Sequence, residues 1–408
     1  MTVEETIRVE GGRILATLIR LTRDFDLAQD ALQEAAVTAL EQWTARGIPE
    51  SPAAWLTTVS RRKALDLMRR EGRRRAKEGE AQMTLLIGAE EDGAGDDRLR
   101  LIFTCCHPAL SPETRVMLTL RTIGGLNTHE IARVFLLNEA TVGQRISRAK
   151  RKISVAGIPY RIPAGHELPD RLPAVLGTLY LMFTTGHHAI AGRLDSRVDL
   201  ADESIRLTRM LSTLMPDEPE VHGLLALMLA THARRAARVD ARGHLVLLPD
   251  QDRSLWDHAA IDEAKTIVER ALRLRRAGAY QIEAAIACLH GRAPSDEETD
   301  WAQIVDLYRA LERIEPGPVT TVNRAVAESK VTGPAAGLAL LEGVDDVEHW
   351  HLYWAVRAEL QRQLGDMTGA SRAYERALAC EMNDSDRDHL QLRLESLPGT
   401  TGVPSIRA

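Results

Sequence analysis

Apolar positions recur along this chain at helical rather than strand spacing. Ile14, Leu18 and Leu21 share one face of a 3.6-residue period, and Leu27, Ala31, Ala35 and Leu40 follow in the same way. Alternating runs of β-branched residues are nearly absent, so the pattern predicts an all-α protein. Glycines and prolines interrupt the period around 47–52, 88–97, 157–169, 249–253, 291–294 and 316–318. The interruptions divide the chain into two short helical blocks, 1–80 and 98–155, joined by a linker at 81–97, and a long helical block at 156–408.

The second block carries the most specific local signal. Asn127 is a good N-cap, and Glu130, three residues on, can return a bond to the cap's N–H. After Leu136 and Leu137, Asn138 can cap a second helix running from Glu139 to about Ile153. Two short helices joined by a three- or four-residue turn have the spacing of a helix-turn-helix. In the second helix Val142, Ile146, Ala149 and Ile153 repeat at core-facing intervals, which turns Thr141, Gln144, Arg145, Arg148 and Lys152 outward. Gln and Arg near a helix N-terminus suit base edges in the major groove, and the later cations suit phosphates.

Composition narrows the class. The chain has 408 residues, 44% hydrophobic, 27% charged and 4% aromatic, which fits two or three soluble globular domains of Ala/Leu-rich helices. No uncharged apolar run approaches the ~20 residues of a membrane span, and the first residues are acidic where a secretory signal is basic, so a cytoplasmic protein without membrane contact is expected. Four scattered cysteines predict reduced thiols. Cys105, Cys106 and His107 suggest a metal, but adjacent thiols rarely ligate together and no second Cys/His pair lies nearby; neither metal nor cofactor is expected.

Charge is informative once divided. Residues 1–160 hold 24 Lys+Arg against 21 Asp+Glu, net +3, and the remainder is net −9. Arg61, Arg62, Lys63, Arg69 and Arg70 lead a basic run that extends to Lys77, and no acid occurs between Thr141 and Tyr160. Two basic stretches flanking an acidic, glycine-containing segment at 90–97 predict a polyanion partner for the first part of the chain alone.

With these residues in view, the first 155 positions resemble a bacterial extracytoplasmic-function sigma factor. Ala28-Gln29-Asp30-Ala31-Leu32-Gln33-Glu34-Ala35 is similar to sigma region 2.2, and the resemblance implies that Asp30, Gln33 and Glu34 dock on core RNA polymerase. Pro52 to Leu56 and Arg61 to Arg70 are similar to regions 2.3 and 2.4, which implies minus-ten contacts for Arg61, Arg62, Lys63, Arg69 and Arg70. The loop from Arg46 to Pro52 stands where an unstacked base is selected. Arg62 replaces the family's frequent Asn, and Trp55, amid Leu56, Val59 and Leu65, is expected in the core. Ser111 through Ile153 is similar to region 4, which implies minus-thirty-five contacts for Thr141, Gln144, Arg145, Arg148 and Lys152. The acidic segment at 90–97 is either a solubilising linker or a connector that enters the polymerase exit channel.

The remaining 250 or so residues contain no GxSxG, HExxH, P-loop or GxGxxG, and no enzyme activity is expected. Trp354, Ala358, Gly365, Ala370, Tyr374 and Ala377 fall at packing positions of a tetratricopeptide repeat, and Tyr308 precedes Tyr374 by about two 34-residue periods. Such helix pairs commonly bind a protein or peptide partner. Across its length the chain resembles the sigma factors that bear a long tetratricopeptide-like C-terminal extension, although Leu181 to His187 departs from that group's pattern. The resemblance implies promoter-specific transcription initiation, with core RNA polymerase and promoter DNA as partners and the extension as a regulator. The rival reading is a DNA-binding transcription regulator with a tetratricopeptide-like sensor domain that never acts as a sigma factor.

Overall fold

The computed structural model describes residues 2–77, 97–135, 137–188, 198–240, 246–345, 347–382 and 384–398. Nearly all of the acidic linker lies outside the described residues. Among the described residues every regular element is helical. The chain forms two compact units, one of residues 1–185 with 202–210, the other of 186–201 with 211–408.

The first unit opens with three helices, α1 (Val3–Thr22), α2 (Phe25–Arg46) and α3 (Pro52–Lys77). Their ends are set by local chemistry. The Thr2 hydroxyl accepts from the Glu5 N–H while the Glu5 carboxylate accepts from the Thr2 N–H. Asp24 accepts from the N–H groups of Asp26 and Leu27 to start α2. The buried stripe of α2 is Phe25, Ala28, Ala31, Ala35, Ala39 and Trp43, whose small alanines let α1 and α3 approach closely. Leu40, expected in that stripe, is 58% exposed, because Ala39 takes the inward position.

Four shorter helices follow, α4 (Asp97–Cys105), α5 (Pro112–Thr122), α6 (Thr128–Val134) and α7 (Glu139–Val155). All seven residues from Leu99 to Cys105 are buried, so α4 is enclosed on every side. One cover is α1. The Tyr160 hydroxyl lies 2.8 Å from the Ala16 carbonyl and 2.9 Å from that of Asp97, tying α1 to the start of α4. Gly12 of α1 permits a close approach to the end of α5, where a Cβ would stand 2.6 Å from the Ile123 carbonyl oxygen. We predict that Gly12→Ala lowers unfolding stability by about 1–3 kcal/mol. Chemical denaturation checks this, and an unchanged midpoint would mean that α1 does not press on α5 in solution.

Another cover of α4 is α8 (Leu168–His188). The Thr178 hydroxyl meets the Cys106 thiol at 3.2 Å, the Arg171 guanidinium donates to the Phe103 carbonyl, and Val175, Leu179 and Met182 are fully buried. Within α9 (Val198–Leu214), Glu203 pairs with Arg98 at 2.7 Å, so the 202–210 segment belongs to this unit as well.

The second unit contains α10 (Pro219–His232), α11 (His258–Arg273), α12 (Ala279–Arg292), α13 (Trp301–Ile314), α14 (Pro318–Thr332), α15 (Pro334–Leu341), α16 (His351–Gln363), α17 (Met367–Leu378) and α18 (Asp384–Glu395). Each packs on its neighbours in chain order, as stacked helical hairpins do. In the α16–α17 hairpin, Ala358, Ala370, Tyr374 and Ala377 form one buried cluster against which Trp354 packs, and Gly365 turns the chain at φ 83°. These are the positions that the repeat pattern singled out. Tyr308 packs in a separate cluster with Ile304, Val305 and Leu311 of α13 and Ala327 of α14.

Candidate nucleic-acid and partner interface

The α6–α7 pair is built by its caps. The Asn127 side chain accepts from the Glu130 N–H while Glu130 accepts from the Asn127 N–H, and Asn138 accepts from the Thr141 N–H. His129 and Glu139 join the two helices at 2.9 Å. Val142, Ile146, Ala149 and Ile153 are buried, which turns the other side of α7 outward. Gln144 and Arg148 are exposed, and Thr141 is half-buried. Arg145 pairs with Glu113 at 2.6 Å, and the Lys152 ammonium donates to the Ala109 carbonyl. Lys150 is turned the other way. Only 13% of its side chain is exposed, and it reaches Asp26 and Gln29 of α2, both at 3.0 Å.

On α3, Arg61, Arg62, Arg69 and Arg70 are exposed, with Arg69 beside Asp66 at 3.3 Å. Lys63 pairs with Glu34 of α2 at 3.4 Å. Both side chains are partly open to solvent, so the pair contributes only ~0–1 kcal/mol and yields readily to a partner. Between α2 and α3 lies a cleft of about 320 Å³ lined by Gln42, Trp55, Arg62, Lys63 and Arg70 among others. Trp55, expected in the core, is only half-buried. Its ring meets the buried Trp43 edge-on, with centroids 5.5 Å apart, and also borders the cleft. Leu56 is fully buried, whereas Leu65 faces solvent at 36% exposure.

The outer face of α2 carries Asp30 and Gln33, both exposed, and the half-buried Glu34. Two apolar side chains extend this face. Val37 and Leu40 are 56% and 58% exposed, and they follow Gln33 at i+4 and i+7. Sequence reasoning missed Val37 and placed Leu40 inside. Four- and three-residue spacing from Gln33 was the available signal.

Cys105 and Cys106 are fully buried and face the hydroxyls of Thr122 and Thr178. Burial raises both thiols well above their ordinary pKa, which makes them inert packing groups at neutral pH. Among the described residues no group of three or more His, Cys, Asp or Glu is arranged to hold a metal, and no helix is long and apolar enough to cross a membrane.

A helix-turn-helix with a polar and cationic outer face, joined in one chain to a second basic helix, has the make-up of a helical DNA-binding protein. Residues 7–74 match the Sigma-70 region 2 family and residues 100–153 the Sigma-70 region 4 family. Residues 171–272 match a family of unknown function, DUF6596. The ECF RNA polymerase sigma factor SigK of Mycobacterium tuberculosis (strain ATCC 25618 / H37Rv) is 30% identical over 154 residues, 35% of this chain and 78% of that one. Uncharacterized protein R00370 of Rhizobium meliloti (strain 1021) is 44% identical over 392 residues, 94% of this chain and 93% of its own. The crystal structure of yeast Tom70 aligns over 96% of this chain and 84% of that one with a TM-score of 0.32 at 13% identity, a likeness too low to inform the fold. The chain belongs to the extracytoplasmic-function RNA polymerase sigma factors and carries a long C-terminal helical extension. Both sigma regions on one chain decide against the rival reading of a regulator that is not a sigma factor.

Proposed function

We propose that this protein works in the cytoplasm, without catalytic activity of its own, as a dissociable specificity subunit. In this reading α2 docks on core RNA polymerase through Asp30, Gln33 and Glu34, α3 meets the minus-ten element through Arg61, Arg62, Lys63, Arg69 and Arg70, and α7 reads the minus-thirty-five element through Thr141, Gln144, Arg145, Arg148 and Lys152. Residues 1–80 and 98–155 are the two promoter-binding parts, 81–97 joins them, and 156–408 regulates them and receives a protein or peptide partner. The observation that carries the docking assignment is the outer face of α2, where exposed Val37 and Leu40 continue the line of Asp30 and Gln33. A mixed polar and apolar face is what a partner helix covers, and a merely solvated face has no need of the two aliphatic side chains.

Size adds a requirement. Elements centred about 25 base pairs apart lie roughly 85 Å apart along B-DNA at ~3.4 Å per base pair. A compact unit of nearly 200 residues has a radius of gyration of about 16 Å. In this reading α3 and α7 therefore separate on the promoter, and the Lys150 bonds to Asp26 and Gln29 break. The test of docking is Asp30→Arg. Its affinity for core polymerase falls about tenfold, equivalent to ~1.4 kcal/mol, with helicity and melting temperature unchanged. Unchanged affinity would overturn the assignment of α2.

A further inference from the structure

Among the described residues of the second unit, Arg234, Arg238 and Arg253 lie near one another and none of them forms an ion pair. After α10 the chain makes a short 3-10 turn at Arg235–Ala237, which packs against a second such turn at Arg253–Leu255. The Asp257 N–H donates to the Ala233 carbonyl at 2.9 Å and fixes the two turns together. Beneath them Ala233, Ala237, Trp256 and Ile261 form a small apolar cluster. The Arg253 guanidinium lies 4.6 Å from the centroid of the Trp256 ring, and one of its nitrogens donates to the carbonyls of His290 and Ala293 at 2.8 and 2.7 Å. Its other terminal nitrogen is buried without a hydrogen-bond partner. The Nε of Arg234, the Nδ1 of His290 and the indole Nε1 of Trp256 are in the same condition.

The charges around Arg234 are Arg238 and Arg253, both of its own sign. Burial, reinforced by these two cations, lowers the Arg234 guanidinium to about 10. Burial and the Arg234 charge push His290 down to about 4, so its ring is neutral at physiological pH. Asp296 is the acid that acts on His290; its Oδ2 accepts from Lys330 at 2.8 Å, and its Oδ1 is buried without a partner. Buried charges are normally paired, and unpaired donors of this kind cost stability. Several such donors are gathered here around two packed turns.

We propose that Arg234, Arg238, Arg253 and the Trp256 indole form an oxyanion-binding site for a small molecule bearing a phosphate or carboxylate group. Planar guanidinium forks match either group bidentately, and the indole N–H supplies a further donor. The site lies within 171–272, the stretch matched by the family of unknown function, and outside both sigma regions.

The test is isothermal titration of the full-length protein with inorganic phosphate and, separately, with succinate, at matched ionic strength. Saturable binding of phosphate alone identifies a phosphate-bearing ligand, and of succinate alone a carboxylate; either supports the site. Arg234→Met then weakens that binding at least tenfold while the melting temperature of the unliganded protein stays the same or rises, because a buried like charge has been removed. Absence of saturable binding of both probes to the wild type overturns the proposal whatever the variant does. So does binding that Arg234→Met leaves unchanged, which would make the arginine a structural group.

Discussion

Replacing Arg145 and Arg148 together by alanine is expected to abolish promoter-directed transcription while core polymerase binding persists. Arg148 is exposed and Arg145 is held by Glu113 at 2.6 Å in a pair open to solvent. Such a pair contributes ~0–1 kcal/mol, whereas a bidentate contact to a base edge discriminates by ~1–3 kcal/mol, so DNA displaces Glu113 readily. Without either guanidinium, promoter binding weakens by at least about 30-fold. Gel-shift titration on a promoter fragment, run beside a core-polymerase binding assay, reads both quantities. Loss of both activities would point to misfolding, and retention of promoter binding would remove α7 from the recognition surface.

Cutting the chain after Tyr160 is expected to destroy the fold of the part that remains. Family resemblance alone places the sigma regions before this point, yet α4 is enclosed partly by α8, which lies beyond it. Val175, Leu179 and Met182 are fully buried, and each contributes ~1.5–3 kcal/mol on burial. Their combined contribution is comparable with the roughly 5–15 kcal/mol that holds a whole domain together. The cut also leaves Cys106 without Thr178 and the Phe103 carbonyl without Arg171. We expect residues 1–160 to aggregate or melt without a cooperative transition, and residues 1–214, which keep α8 and α9, to melt cooperatively. Equal melting of the two fragments would show that α8 contributes nothing to the first unit. A truncation meant to test regulation by the extension should therefore end beyond α9.

The helix-turn-helix was legible in the sequence because its signals are local: two caps and a four-residue repeat of apolar side chains. The faces of α2 were legible only in part. A helical period identifies a stripe, but with Ala39 and Leu40 adjacent it favours the larger residue, and close packing of three helices selected the smaller one. Trp55 escaped for a related reason, since Trp43 occupies the core position beside it. The membership of α8 in the first unit was hidden by the glycines and prolines at 157–169, which resemble a boundary although the chain turns back to cover α4. Pairings between distant residues left no signal, as with Lys150 and Asp26, 124 positions apart. Arg234, Arg238, Arg253 and His290 are likewise scattered through the sequence, and only the two packed turns bring them together.

Sigma activity is read most directly by adding the purified full-length protein to core RNA polymerase, with fragments of its own genome as templates, and mapping the transcript starts. New starts that share two upstream elements are the expected result. Absence of new starts together with absence of core binding would show that the protein is not a working sigma factor.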